Sequence, residues 1–138
     1  MLIGIGIDLV SVSRIEREIS LDPDWSKDVF TPFEIEYCEN KHYPPQHYAA
    51  RFASKEAFFK ALPDSPPRGL IWRDIEIYRL PDGKPQISLS GHIAAFVSRL
   101  RVRSIFLSIS HTRDLAIANV AIDADPEQDN SLNNKDVE

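Results

Sequence analysis

The chain opens with a regular alternation of aliphatic and small or polar residues over positions 2–10. One set of alternate positions is entirely aliphatic: Ile3, Ile5, Ile7 and Leu9. The other set reads Gly4, Gly6, Asp8 and Val10. A period of two predicts a β-strand whose aliphatic face lies against a core. The glycine face would let another group approach the backbone closely beside Asp8.

Four helices are predicted from capping signals and helix-forming composition. The segments Ser13 to Glu16 and Thr31 to Glu34 have the spacing of a capping box, and in the second a proline occupies the first helical position. The stretch QHYAARFASKEAFFKAL (46–62) contains no glycine or proline and is rich in strong helix formers. Ser90 is placed to cap a shorter helix over HIAAFVSRL (92–100).

Two β-hairpins are predicted in the second half of the chain. WRDIEIYRL (72–80) and PQISLSG (85–91) flank the turn Pro81-Asp82-Gly83-Lys84. SIFLSIS (104–110) and LAIANVAID (115–123) flank residues 111–114. Strand, three helices, hairpin, helix and hairpin do not alternate strictly, so the predicted class is α+β, an antiparallel sheet packed with helices.

Length and composition limit the class of protein. A chain of 138 residues with 43% hydrophobic and 27% charged residues fits one ordinary globular domain. The apolar start lacks a basic region and a cleavage site, and Asp8 interrupts it, so neither a signal peptide nor a membrane partner is expected. A single cysteine, Cys38, excludes an intramolecular disulfide and a Cys-based zinc site. We therefore expect a cytoplasmic protein.

The net charge of −5 lies entirely in the last sixteen residues, 123–138, which carry six acidic residues and one lysine. Residues 1–122 therefore sum to zero. The terminal segment has almost no apolar content and cannot bury enough surface to offset its ordering entropy. We predict a folded domain over 1–122 and a disordered acidic tail over 123–138, and no nucleic-acid partner.

Charged residues interrupt an apolar stripe on the long helix. Glu56 and Lys60 fall on the same face as Ala49, Phe52 and Ala53. One interpretation is a structural Glu–Lys pair four residues apart, worth only about 0.2–0.5 kcal/mol on an exposed helix. The opposite face is also apolar, which indicates a largely buried helix. Burying an ion pair adds little stability, so the pair indicates a second use.

Asp8 and Glu56 together form a candidate magnesium site. Asp8 alone could cap the first helix or meet solvent. Two carboxylates on rigid elements can hold Mg²⁺ together with waters and substrate phosphates, and Lys60 beside them would stabilise phosphate charge. Further candidate phosphate donors, each of which taken singly is more commonly a solvated surface residue, are Arg51, Lys55, Lys84, His111 and Arg113.

Six motifs resemble the holo-acyl-carrier-protein synthase family of 4′-phosphopantetheinyl transferases, in family order and spacing. They are GIGIDLVSVSRIE (4–16), FTPFE (30–34), ARFASKEAFFKAL (50–62), DIEI (74–77), DGKP (82–85) and SISHT (108–112). Together they cover most of residues 1–122, and the first and third are far more specific than a lone glycine motif.

This resemblance implies roles for particular positions. It implies that Asp8 and Glu56 hold Mg²⁺ and that Lys60 lies at the pyrophosphate of coenzyme A. It places Arg14 on a carrier-docking helix, where Arg17 is the second basic residue. Positions that the resemblance assigns to the nucleotide end of coenzyme A are Arg51, Gly83, Lys84, Pro85 and His111. It also implies a homotrimer with active sites between subunits.

The chain departs from the family pattern in two places. The family usually has a Gly-Thr-Gly-like turn after the long helix, whereas this chain has Leu-Pro-Asp-Ser-Pro-Pro over 62–67. The first helix offers Arg14 and Arg17 among several acidic residues, so it does not form a strongly basic docking patch.

The predicted function is transfer of the 4′-phosphopantetheine group of coenzyme A to a serine of apo acyl carrier protein, in support of fatty acid or polyketide synthesis. Lys60 would stabilise or protonate the departing adenosine 3′,5′-bisphosphate, and Glu56, directly or through a metal-bound water, would accept the serine proton, with Glu34 as the alternative base. One alternative is a non-catalytic module that binds coenzyme A or a carrier protein. Another treats the charges as structural and the protein as an oligomeric scaffold.

Overall fold

The computed structural model describes residues 1–66, 68–69 and 71–126. Strand β1 (Leu2–Ser11) leads into helices α1 (Val12–Leu21), α2 (Pro23–Val29), α3 (Pro32–Glu39) and α4 (Pro44–Ala61). A short 3₁₀ turn (Trp72–Asp74) precedes strands β2 (Ile75–Arg79) and β3 (Pro85–Leu89). Helix α5 (Gly91–Arg99) and strands β4 (Val102–His111) and β5 (Leu115–Ala124) follow. Within the described residues, no helix is long and apolar enough to cross a membrane.

The helix ends show which capping predictions hold. Thr31 and Glu34 form a reciprocal capping box at the start of α3, with Pro32 in the first turn, as predicted. Helix α1 instead begins one residue after Ser11, whose hydroxyl accepts the backbone N–H of Arg14. The predicted start at Ser13 is therefore wrong, because strand β1 leads directly into the helix.

Two further starts differ from the prediction. Asp22 accepts the N–H of Asp24 and begins helix α2, which the sequence analysis did not predict. Helix α5 follows Ser90, but the Ser90 side chain makes no cap hydrogen bond. The backbone N–H of Ser90 donates instead to the carbonyl of Asp74, 2.9 Å away.

The strands form two antiparallel sheets. The larger sheet has the order β1-β5-β4, and β2 pairs with β3 in a separate hairpin. In the larger sheet Asp8 lies opposite Ala118, and Ile7 lies opposite Asn119. Both predicted hairpins are present, and the α+β class is confirmed.

Helix α4 packs against β1 and β5 and forms the centre of the core. It begins at Pro44, two residues before the predicted start, because proline suits the first helical turn. A row of small residues at 0–1% exposure faces the sheet: Ala49, Ala53, Ala57 and Ala61. The glycine face of β1 meets this row, since a Cβ on Gly4 or Gly6 would overlap a carbonyl oxygen of the helix.

The orientation of β1 is opposite to the prediction. Its aliphatic face is turned outward, with Ile5 61%, Ile7 55% and Leu9 59% exposed. Phe106 on the neighbouring β4 is 59% exposed, and it lies opposite Ala121, the partner of Ile5 across β5. Alternation identifies two faces of a strand but not which one meets a helix. Here the close approach of α4 requires the glycine face.

The last strand continues two residues beyond the predicted domain boundary at residue 122. Strand β5 runs to Ala124, because Asp123 pairs with the N-terminal ammonium at 2.6 Å and with Arg103 at 3.3 Å. The remainder of the predicted tail, 127–138, lies outside the described residues. Of the proline-rich loop 62–67, Pro67 also lies outside them.

Candidate functional site

Asp8 and Lys60 meet where β1 passes the last turn of α4. The Lys60 ammonium lies 2.9 Å from Asp8 Oδ1 and donates to the carbonyl of Ile7 at 3.1 Å. The Asp8 side chain is 15% exposed, whereas that of Lys60 is 54% exposed. Lys60 therefore pairs with a carboxylate on the neighbouring strand, and a Glu56–Lys60 pair four residues apart on the helix is not formed.

Glu56 lies one helical turn before Lys60 and is half-buried. Burial and the neighbouring Asp8 carboxylate raise the pKa of Glu56, and the positive charges of Lys60 and Arg14 oppose that rise. Within the described residues, its carboxylate makes no hydrogen bond or ion pair. Glu56 is thus a partly desolvated carboxylate beside a second carboxylate, free to bind a cation.

The donor set of Asp8 and Glu56 suits magnesium. Mg²⁺ is usually held by one or two carboxylates, with waters and substrate phosphates completing its octahedron. No group of three or more His, Cys, Asp or Glu side chains able to hold a metal occurs in the described part of the chain. The two carboxylates therefore fit a site shared with a phosphate substrate, as opposed to an all-protein cage.

Glu34 and Lys55 form a buried structural pair away from this site. Both side chains are fully buried, and Lys55 Nζ lies 2.6 Å from Glu34 Oε1. Glu34 also accepts the backbone N–H groups of Thr31 and Ile77, while Lys55 also donates to the carbonyl of Val29. Burial lowers the pKa of Lys55, and the Glu34 carboxylate opposes that shift.

These contacts correct two expectations. Glu34 cannot reach a substrate hydroxyl, because both of its oxygens are engaged inside the core. Lys55 cannot serve as a phosphate donor, because its ammonium is enclosed among carbonyl groups and Glu34. Position along a helix did not distinguish Lys55 from Lys60, which lies five residues later and reaches solvent.

A second set of polar side chains surrounds the Tyr37 ring at the other end of α4. The Arg51 guanidinium lies 3.9 Å from the ring centroid, and the Lys41 ammonium lies 4.5 Å from it. The His47 ring lies 6.0 Å from Tyr37 and 6.2 Å from His111. We call this set the basic cluster; its members are Tyr37, Lys41, His47, Arg51, Arg79 and His111.

The basic cluster is electropositive enough to shift the pKa of its own members. Burial raises the pKa of Tyr37, but the charges of Arg51, Arg79 and Lys41 outweigh this effect and lower it overall. Burial and the same positive charges, together with His111, lower the pKa of His47. Arg51 is only 2% exposed, and its Nε atom has no hydrogen-bond partner among the described residues. An anion would find donors here.

The turn between β2 and β3 connects to the basic cluster through Arg79. Gly83 adopts a φ of 88°, which favours glycine, and its carbonyl accepts a hydrogen bond of 2.7 Å from Arg79 Nη1. Lys84 projects into solvent, with its side chain 77% exposed, and Pro85 begins β3. The turn thus presents an exposed ammonium, loosely paired with the Asp82 carboxylate at 3.9 Å, next to the cluster's arginine.

Comparison with known proteins identifies the family. Residues 4–121 match the 4′-phosphopantetheinyl transferase superfamily. The chain is 42% identical to the holo-[acyl-carrier-protein] synthase of Solibacter usitatus, over 89% of this chain and 99% of that protein. The chain belongs to the 4′-phosphopantetheinyl transferase superfamily.

Solved structures of this superfamily share the fold. The holo-[acyl-carrier-protein] synthase of Neisseria meningitidis superposes with a TM-score of 0.81 at 30% identity, covering 89% of this chain and 99% of that one. The Helicobacter pylori holo-[acyl-carrier-protein] synthase in complex with coenzyme A superposes with a TM-score of 0.73 at 34% identity, covering 86% of this chain and 99% of that one. The predicted family is confirmed, and the chain is an enzyme of the holo-[acyl-carrier-protein] synthase type.

In this transferase chain the predicted site residues fall into two places. Asp8, Glu56 and Lys60 lie at the carboxyl end of α4, whereas Arg51 and His111 lie in the basic cluster near its amino end. Arg51 and Glu56 are five residues apart on α4, about 8 Å along the helix axis, but about 140° apart around it, and the Arg51 guanidinium lies over Tyr37 of α3. The described part of one chain does not bring the two sets together.

Several members of the basic cluster were missed by the sequence analysis: Tyr37, Lys41, His47 and Arg79. Tyr37 and Lys41 are four residues apart, as are His47 and Arg51, which is the spacing of neighbours on one helix face. The sequence could therefore have predicted that each of these pairs shares a face. It could not have predicted that the two pairs lie against each other, because that depends on the tertiary structure.

Arg14 and Arg17 lie exposed on α1, and Arg14 lies near the two carboxylates Asp8 and Glu56, which we call the acidic pair. The charge of Arg14 acts on Glu56, and its guanidinium lies 6.0 Å from the Phe52 ring centroid. A macromolecule that presents a hydroxyl to Asp8 and Glu56 would therefore contact the first turns of α1.

Proposed function

We propose that this transferase moves the 4′-phosphopantetheine group of coenzyme A onto a serine of apo acyl carrier protein, releasing adenosine 3′,5′-bisphosphate, with Mg²⁺ held by Asp8 and Glu56. The observation that carries the proposal is the meeting of two carboxylates and one ammonium where β1 crosses α4. The Helicobacter pylori relative in complex with coenzyme A supports the choice of donor.

The reaction is a displacement at phosphorus. The serine oxygen forms a bond to the phosphorus that carries the pantetheine arm, the bond from that phosphorus to the bridging oxygen breaks, and adenosine 3′,5′-bisphosphate departs. Bound Mg²⁺ supplies neutralisation of charge on the phosphates. Lys60 stabilises the negative charge of the departing group through its ammonium.

Glu56 is the proposed acceptor of the serine proton. Its carboxylate is half-buried at the site and makes no hydrogen bond or ion pair among the described residues, so an oxygen is available to a serine hydroxyl. The other candidate, Glu34, is enclosed in the core. The serine proton would pass to Glu56 directly or through one water.

We also propose that the active enzyme is a homotrimer. The outward face of β1, together with Phe106 and Leu115, exposes large apolar side chains on one side of the sheet, and such a surface is typical of an interface. In a trimer assembled through this face, the acidic pair of one subunit would lie close to the basic cluster of another. Such an arrangement would place Arg51, His111 and the Gly83-Lys84-Pro85 turn at the nucleotide end of coenzyme A.

Acyl carrier protein is proposed to dock on α1 through Arg14 and Arg17. Both arginines are exposed, and Arg14 lies near Glu56, so an acidic carrier would reach them before its serine reached Glu56. We also propose that the enzyme is cytoplasmic and serves fatty acid or polyketide synthesis. The single buried Cys38, whose pKa burial raises to about 12, suits a reducing compartment.

The test is mass spectrometry of purified apo acyl carrier protein after incubation with coenzyme A, Mg²⁺ and this protein. The carrier should gain the mass of one phosphopantetheine group, and omission of Mg²⁺ or substitution Asp8→Asn should prevent it. A carrier of unchanged mass, from a protein that still binds coenzyme A, would favour the non-catalytic binding module.

A further inference from the structure

One carboxylate of the proposed magnesium site is already engaged by a cation of the chain itself. Lys60 Nζ lies 2.9 Å from Asp8 Oδ1, a distance typical of a charge-assisted hydrogen bond. Glu56, the other proposed ligand, has no such partner among the described residues. The two carboxylates therefore differ: the Lys60 ammonium neutralises the charge of Asp8, whereas the charge of Glu56 is not neutralised by an ion pair.

We propose that Lys60 competes with the divalent cation for Asp8, and that the phosphates of coenzyme A relieve this competition by drawing the Lys60 ammonium away. The inference rests on the proposed function, since it takes Asp8 and Glu56 as the magnesium ligands. It adds that metal and coenzyme A bind cooperatively through the movement of one side chain.

The structure favours movement of Lys60 over movement of Asp8. Asp8 lies in the middle of β1, paired with Ala118 of β5, and only 15% of its side chain is exposed. The glycine face of β1 also holds that strand tightly against the backbone of α4. Lys60 lies in the last turn of α4 on a long flexible stem, with 54% of its side chain exposed.

The ammonium has two possible electrostatic partners once a phosphate is present. Without substrate it is held by Asp8 and the carbonyl of Ile7. A pyrophosphate bound beside the carboxylates offers it more negative charge, while Mg²⁺ takes over the oxygen of Asp8 that Lys60 leaves. Because binding couplings are reciprocal, the metal must then raise the affinity for the nucleotide as much as the nucleotide raises the affinity for the metal.

The inference predicts that metal binding without substrate is weakened by Lys60. We would measure the affinity of the whole protein for Mn²⁺ by electron paramagnetic resonance of the free ion, with no nucleotide present. Lys60→Met keeps the length of the side chain and removes its charge, and we expect it to bind Mn²⁺ about tenfold more tightly than wild type.

Arg14→Gln is the matched control, because Arg14 also places a positive charge near Glu56 but makes no ion pair with Asp8. Loss of a nearby charge alone should change Mn²⁺ affinity by less than about threefold. A similar gain in both variants would show general electrostatic repulsion and would overturn the competition. A weaker or unchanged affinity in Lys60→Met would overturn it as well.

A second measurement separates displacement from simple repulsion. Adding coenzyme A, which carries the pyrophosphate, without carrier protein should raise the Mn²⁺ affinity of wild type by a larger factor than that of Lys60→Met, because the variant has no ammonium to withdraw. Equal factors would contradict the inference. Asp8→Asn separates failure of the inference from failure of the proposed function. If Asp8→Asn binds Mn²⁺ as tightly as wild type, the magnesium assignment itself fails, and the inference fails with it.

Discussion

Gly6 on β1 lies directly against the carbonyl oxygen of Ala57 on α4, so closely that a Cβ atom at position 6 would overlap that oxygen. Gly4 has the same relationship to Ala61, one turn further along the helix. These two contacts bring the strand carrying Asp8 against the helix carrying Glu56 and Lys60. The absence of side chains at Gly4 and Gly6 therefore determines how closely Asp8 approaches Glu56 and Lys60.

Gly6→Ala should destabilise the fold and misplace the site. The added methyl group meets helix backbone, which cannot rotate away, so we expect a loss of about 1–3 kcal/mol or more in the free energy of unfolding. Transfer activity should fall further than the folded fraction explains, because Asp8 moves relative to Glu56. Chemical denaturation with activity measured on folded protein checks this, and Ser88→Ala, on the exposed side of β3, serves as the control. Wild-type stability in Gly6→Ala would refute the close packing.

Glu56→Gln tests whether Glu56 serves the metal or only the fold. The substitution is nearly isosteric, but it removes one anionic ligand, so transfer should fall on the order of a hundredfold. Raised Mg²⁺ should recover part of the loss. The measurement is the transfer rate against Mg²⁺ concentration, with melting curves alongside. Turnover equal to wild type at every Mg²⁺ concentration would eliminate the metal assignment of Glu56.

Ile7→Asp should dissociate the proposed trimer. Ile7 is 55% exposed on the outer sheet face, and a carboxylate there would be buried without a partner in an assembled enzyme. Sedimentation velocity at micromolar protein should show a shift from trimer to monomer, with the circular dichroism spectrum unchanged. Leu21→Asp, at a residue 77% exposed on α1, should leave the trimer intact. A monomeric wild-type protein would itself contradict the proposal.

Arg14→Glu should weaken capture of an acidic carrier protein while leaving the binding of coenzyme A intact. Reversing an exposed charge chiefly slows association with a charged partner, and we expect the KM for the carrier to rise about tenfold. Steady-state kinetics with each substrate varied in turn measure this. Arg99→Glu makes the same charge change on α5 and should have little effect. Equal losses for both substrates would place Arg14 at the nucleotide instead.

The lowered pKa of His47 predicts a pH dependence of stability. Burial comes first among its causes, followed by the positive charges of Arg51, Lys41, His111 and Arg79. Because the folded pKa lies below the ordinary value of 6.5, His47 contributes stability above that pH, and the contribution is lost as pH falls through the lowered pKa. Wild type should therefore lose more stability than His47→Gln between about pH 7.5 and pH 5.

Denaturation midpoints of the two proteins at both pH values provide the measurement, since other titrating groups cancel in the comparison. Adenosine 3′,5′-bisphosphate should raise the pKa of His47, observed by NMR, if the basic cluster holds its phosphates. A midpoint difference that does not change with pH would show that His47 titrates as it does in the unfolded chain.

Local sequence determined the elements whose stability is local. The capping box of Thr31 and Glu34 specifies the start of α3 through contacts within four residues. The long helix follows from its run of strong helix formers, and Gly83 supplies the positive φ that its hairpin turn requires. The six motifs also identified the family, because together they extend over most of residues 1–122 and the two around Asp8 and Glu56 are the most specific.

Only the tertiary structure decided which groups meet. Periodicity showed that β1 has an aliphatic face and a glycine face, but packing against α4 determined that the glycine face is the inner one. The same helix carries Lys55 into the core to Glu34 and Lys60 out to Asp8, although both lysines belong to one short motif. Burial and pairing depend on contacts between residues far apart in the chain, and no local pattern of residue types contains that information.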